Sequence, residues 1–151
     1  MLVFRLCRAA FQTIDGEGAR LYGGRWNSPG RAAVYTSSSR ALAALEYLVH
    51  VDPVNVPSDL VLLTIDVPDT APRDAIDVAT LPAHWAAESE PPECQALGDA
   101  WLRAGATLAL EVPAAPVPEE RNVILDPHHP AHAGVRIVAS RPFVYDPRLI
   151  G

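Results

Sequence analysis

The sequence has little of what marks several functional classes. Cysteine occurs twice in 151 residues, at Cys7 and Cys94, and the two stand too far apart for metal-ligand spacing or a small disulfide framework. They read as isolated thiols. Positive charge is not in excess: the net charge is −6 and the pI is near 5.2. That balance argues against general affinity for DNA, RNA or anionic membranes, though not against one basic pocket for a phosphorylated ligand. No apolar run approaches the length of a membrane span. The apolar start MLVFRLCRAAFQ carries Arg5 and Arg8, so no signal-peptide core fits there. The expected location is the cytoplasm. No internal repeat, low-complexity tract or linker is visible, and residues 1–151 read as a single domain.

Proline, by contrast, is abundant. Thirteen of the fifteen prolines cluster at 53–57, 68–72, 91–92, 113–118, 127–130 and 142–147. Each cluster interrupts regular structure, so short elements and many ordered loops are expected. With 49% hydrophobic residues the chain should still pack a core. Strands are predicted at 2–6, 33–36, 59–67, 107–112, 122–125, 135–139 and 143–145, with a short extended piece at 76–78. Helices are predicted from Ser39 to His50, with Ser37, Ser38 and Ser39 as capping candidates, and over 93–105 with Gly105 as C-cap. Residues 12–30, rich in glycine, read as a loop. The pattern is α+β rather than a βαβ array.

Three residues stand out for chemistry. On the first helix, about 100° per residue puts Leu42, Leu45 and Val49 on one face, and Glu46 on or beside it. A carboxylate at an apolar border needs an arginine partner or a ligand. Arg25 lies in Gly23-Gly24-Arg25-Trp26-Asn27-Ser28-Pro29-Gly30. Glycines let backbone approach an anion, and the guanidinium fork matches phosphate or carboxylate. A solvated arginine on a glycine turn is the plainer alternative. Trp26 could anchor this loop or stack on a base. Tyr35 ends the strand before the helix, so Arg25, Tyr35 and Glu46 could converge at one strand–helix junction. Arg25 and Glu46 could also be each other's ion-pair partner. His128, His129 and His132 form a local cluster, but proline crowds the segment and no metal is expected. Asp99 and Trp101 on the second helix read as cap, surface or core.

The run Gly16-Glu17-Gly18-Ala19-Arg20-Leu21-Tyr22-Gly23-Gly24-Arg25-Trp26-Asn27, followed by Val34-Tyr35-Thr36-Ser37 and Leu42-Ala43-Ala44-Leu45-Glu46, resembles the RES-domain family. So do Pro82-Ala83-His84-Trp85, the stretch from Cys94 to Trp101, the stretch from Asn122 to Pro130, and the terminal Phe143 to Leu149. The resemblance spans nearly the whole chain. It implies a fold similar to ADP-ribosyltransferases and a toxin of a type II toxin–antitoxin pair. It implies an Xre-like antitoxin that covers the active site, and a homodimer within a larger toxin–antitoxin complex. The implied activity is depletion of NAD by cleavage of the nicotinamide–ribose bond, as an NAD glycohydrolase or NAD phosphorylase. The alternatives are a protein ADP-ribosyltransferase and a weakened binding module that keeps the fold. The resemblance makes Arg25, Tyr35 and Glu46 catalytic. It assigns NAD binding to Gly24, Arg25, Trp26, Asn27, Tyr35 and position 114, where the family's serine is replaced by Ala114. Asp126 stands where asparagine is expected. A neighbouring serine such as Ser28 could replace the missing hydroxyl, whose loss would cost ~1 kcal/mol of ligand contact.

Overall fold

The computed structural model describes all 151 residues. Seven strands, β1 (Leu2–Arg8), β2 (Val34–Ser37), β3 (Leu60–Asp66), β4 (Arg73–Ala75), β5 (Ala109–Pro113), β6 (Arg121–Leu125) and β7 (Arg136–Pro142), form one sheet in the order β4-β5-β6-β2-β1-β3-β7. Only β4 and β5 run parallel. Four helices join them: α1 (Glu17–Tyr22), α2 (Arg40–Leu48), α3 (Pro92–Ala104) and the short α4 (Pro147–Ile150). The architecture is α+β in a single compact domain, as the strand and helix patterning predicts.

The register sorts the side chains onto two faces. Phe4 pairs with Ser37, Ser37 with Asn122 and Asn122 with Val112, so these four share one face in a row across the sheet. Tyr35, Ile124 and Leu110 form the next row on that face. On the opposite face Val3, Cys7, Val34, Leu63, Ile65, Val123 and Leu125 build the main core, which is closed by loops that carry Ile14, Leu108, Ala131 and Val135.

The first face is covered in two separate patches. Toward β1 and β3, α2 and the C-terminal segment pack Ala43 and Tyr145 against Phe4, Leu6, Leu60 and Leu62. Toward β5 and β6, α3 and the glycine loop pack Trp26, Trp85 and Cys94 against Leu110, Val112 and Ile124. Between them β2, the middle strand, is left facing a groove.

Local details differ from expectation in four places. The 12–30 segment contains α1, started where the Asp15 carboxylate accepts from the Glu17 N–H at 3.0 Å. The extended piece near 76–78 is instead β4 at Arg73–Ala75, followed by a 3₁₀ turn at Val78–Thr80. Residues 143–145 do not form a strand of their own: Phe143 makes one last backbone bond, to the Leu60 carbonyl at 2.9 Å, and Tyr145 turns inward and donates its hydroxyl to the Ala44 carbonyl. On α2, capped by Ser39, the buried residues are Leu42 and Ala43, while Leu45 and Val49 are 36% and 56% exposed. The stripe drawn through Leu42, Leu45 and Val49 is therefore rotated. A nine-residue helix fixes its face by what it packs on, here Phe4 and Leu6, and the contact runs through Ala43 and Tyr47. No helix is long and apolar enough to cross a membrane.

Candidate active site

The groove on β2 has a volume of about 1020 Å³. One wall is the glycine loop. Gly23 is in the left-handed region at φ 72°, and Gly24 and Asn27 exchange backbone hydrogen bonds across a tight turn at 2.9 and 3.4 Å. Asn27 is fully buried. Its amide donates to the carbonyls of Ala19 and Arg31, both at 2.9 Å. Asn27 is thus the internal strut of the loop rather than a wall of the groove. Trp26, 3% exposed, is the anchor of the loop, sunk against Trp85, Cys94 and Ile124.

Helix α3 grips this loop with one face. Gln95 donates to the Gly24 carbonyl at 3.1 Å, and Asp99 accepts from the Ser28 N–H at 2.9 Å and from the Ser28 hydroxyl. Arg31 stands 3.8 Å from the same carboxylate. Gly98, between them, touches the Trp26 backbone. Ser28 is therefore committed to Asp99 and does not line the groove. An Asp99→Ala variant strands the Ser28 donors, at a cost of about 1–3 kcal/mol. A denaturant melt should show the loss.

Tyr35 rises from the groove floor. Its hydroxyl donates to Asn27 Oδ1 at 2.6 Å and accepts from the Trp26 N–H at 3.0 Å. A Cβ on Gly24 would meet that hydroxyl at 2.7 Å, so only glycine lets the turn approach so closely. Burial pushes the Tyr35 phenol well above its ordinary range. It stays a neutral latch and is no proton acceptor near pH 7.

Arg25 leaves the loop and reaches across to the 85–87 segment. Its Nη1 donates to the carbonyls of Trp85 at 2.7 Å and Ala87 at 3.0 Å. Nε and Nη2 have no acceptor on the protein. Glu46 sits on the other wall, on α2. Its Oε1 accepts from Asn122 Nδ2 at 2.6 Å, and Asn122 Oδ1 accepts from Ser37 Oγ at 2.8 Å. Arg25 and Glu46 do not pair with each other: each is held by separate uncharged partners and points into the same groove. A guanidinium with three spare N–H donors on one wall, and a carboxylate with a spare oxygen on the other, suit a ligand that is anionic at one end and hydroxylated or cationic at the other.

The model of the RES domain matches residues 2–146. The chain belongs to the RES-domain family. A "Prs ADP-ribosylating toxin" of Sphingobium sp. (strain YBL2) is 41% identical over 91% of this chain and 86% of its own length. A "Toxin Res" of Photorhabdus laumondii is 39% identical over 99% of this chain and 97% of its own length. A chain in the crystal structure of the M. tuberculosis MbcT–MbcA toxin–antitoxin complex shares the fold, with a TM-score of 0.79 at 23% identity over 99% of this chain and 86% of that one.

In this RES domain Gly24, Arg25, Trp26, Tyr35 and Glu46 line the groove together. Ala114 does not. It is 0% exposed, its N–H bonded to the Glu120 carbonyl, and the neighbouring Pro113, Ala115 and Pro116 reach the groove instead. The hydroxyl the structure delivers to the site is Ser37, which reads in sequence as a helix-cap candidate. Ser39 does the capping. Ser37 and Asn122 lie in stretches that carry the resemblance, but neither reads as a site residue there; only the β2–β6 register joins them to Glu46. Glu88 and Glu90 also line the rim. Within the histidine cluster, His129 Nδ1 accepts from the Ala131 N–H, and His132 Nε2 meets the carbonyl of the sequence-distant Ile14 at 2.9 Å. Asp126 is buried, accepts from the His128 N–H and does not line the groove. Burial raises both Cys7 and Cys94, which leaves neither thiol ready to act as a thiolate.

Proposed function

We propose that this RES domain is the toxin of a toxin–antitoxin pair and that it cleaves the nicotinamide–ribose bond of NAD. The observation that carries the reading is the opposition of Arg25 and Glu46 across one groove, each with unused hydrogen-bonding capacity. The groove volume of about 1020 Å³ is adequate for a dinucleotide.

Nicotinamide leaves NAD as a neutral molecule, taking the electron pair of the broken C–N bond, so no general acid is required. Positive charge develops on the ribose as in glycoside cleavage. Arg25 Nε and Nη2 would hold the diphosphate. The free Glu46 oxygen would accept from a ribose hydroxyl and favour the developing cation. Tyr35 would set the floor against which nicotinamide or ribose rests. Water attacking the anomeric carbon and losing a proton yields ADP-ribose, whereas inorganic phosphate yields its 1″-phosphate.

A second reading uses the same site to transfer ADP-ribose to a protein. The name of the Sphingobium relative favours it. In both readings the partner is an Xre-like antitoxin that covers the groove.

The test is NAD turnover by the purified protein, with and without phosphate and with a host extract. Nicotinamide release with free ADP-ribose or its phosphate supports degradation, and a protein gaining the mass of ADP-ribose supports transfer. Glu46→Gln should slow nicotinamide release at least about 100-fold in either case. A Glu46→Gln protein that works at the wild-type rate sinks both readings.

A further inference from the structure

Glu46 borders an open groove, where water can satisfy a carboxylate, yet one of its oxygens is tied to the sheet. Asn122 Nδ2 donates to Oε1 at 2.6 Å, a short charge-assisted contact. A carboxylate only accepts, so the amide must turn its nitrogen toward Glu46 and its oxygen toward Ser37. Ser37 Oγ, 2.8 Å away on a side chain that is 4% exposed, must then be the donor. The orientation of the whole chain Ser37–Asn122–Glu46 is therefore fixed by chemistry. Its base is rigid as well, because Ser37 and Asn122 are direct cross-strand partners on the groove face.

We propose that Asn122 is a positioning residue, oriented by Ser37, that holds the Glu46 carboxylate over the groove with its second oxygen directed to the ribose. The proposal rests on the NAD-cleavage reading. It also explains why a glutamate on α2, a long side chain with three rotatable bonds, can serve as a fixed electrostatic group. Without the tether its carboxylate samples rotamers along the groove wall, and misplacement by an ångström is enough to lose most of the effect.

Asn122→Asp is the deciding variant. It keeps the shape and the bond from Ser37, removes the donor to Glu46 and sets a second carboxylate beside it. The measurements are kcat and KM for NAD, followed by nicotinamide release, and a thermal melt of each protein. Asn122→Asp and Asn122→Ala should lower kcat about 10- to 100-fold while KM stays within about threefold. Ser37→Ala should give a smaller loss of the same kind. A purely structural role would lower the melting temperature and the active fraction, and leave kcat per folded molecule unchanged. An Asn122→Asp enzyme with kcat within twofold of wild type overturns the proposal. So does failure of both Asn122 variants to fold, which would assign the residue to the fold. Glu46→Gln run beside them separates the failures. If it is inactive while Asn122→Asp is active, only the positioning role falls; if it is fully active, the NAD reading falls too.

Discussion

Alanine at position 98 should abolish activity and lower Tm by about 10 °C, an outcome opposite to the usual one for its setting. In an ordinary helix interior, glycine to alanine is stabilising by roughly 1 kcal/mol. Gly98 is buried inside α3, and a methyl there would fall on the Trp26 carbonyl oxygen and 2.6 Å from its carbonyl carbon. Backbone, not a flexible side-chain tip, is in the way. The helix and the glycine loop must separate, which pulls Gln95 from Gly24 and Asp99 from Ser28. Overpacking and broken hydrogen bonds together should cost at least about 3 kcal/mol, well above the propensity gain. A thermal melt of Gly98→Ala at or above the wild-type Tm would show that α3 does not carry the loop in this way.

The second large effect is expected from Arg25→Lys. Both protons on Nη1 are spent on the Trp85 and Ala87 carbonyls, so the guanidinium holds the 85–87 backbone while its other edge stays available. A lysine ammonium is a single point with no second edge. It can sit at the carbonyls or reach an anion, but not both. The conservative replacement should therefore fail almost as badly as Arg25→Ala, with kcat/KM for NAD down roughly 100- to 1000-fold. Turnover by Arg25→Lys within tenfold of wild type would mean that the free edge of Arg25 does not bind substrate.

The hydrophobic pattern sufficed to place six of the seven strands and both long helices, because buried strands such as Leu60–Asp66 carry the signal in their own residues. It misjudged the short elements. α1 depends on a single Asx-type start at Asp15, and the exposed face of α2 depends on which strands lie beneath it. The glycine loop with Arg25, the floor at Tyr35 and the wall at Glu46 were legible as candidates, and all three line the groove. Ala114 was misplaced because a loop motif does not reveal which of its residues turns inward. Asn122 and Ser37 were missed because their meeting is a matter of strand register, which no local pattern encodes.

The grip of α3 on the glycine loop also has a meaning for the order of events during synthesis. The loop and the helix side chains that hold it are 71 residues apart in the chain, and Glu46 and Asn122 are 76 apart. These are non-local closures, the slow kind in folding. A growing chain that has emitted residues 1–90 contains Arg25, Tyr35 and Glu46 but neither the clamp nor the tether. The three residues become a groove only once nearly the entire polypeptide is available, so the site is among the last features of the chain to form.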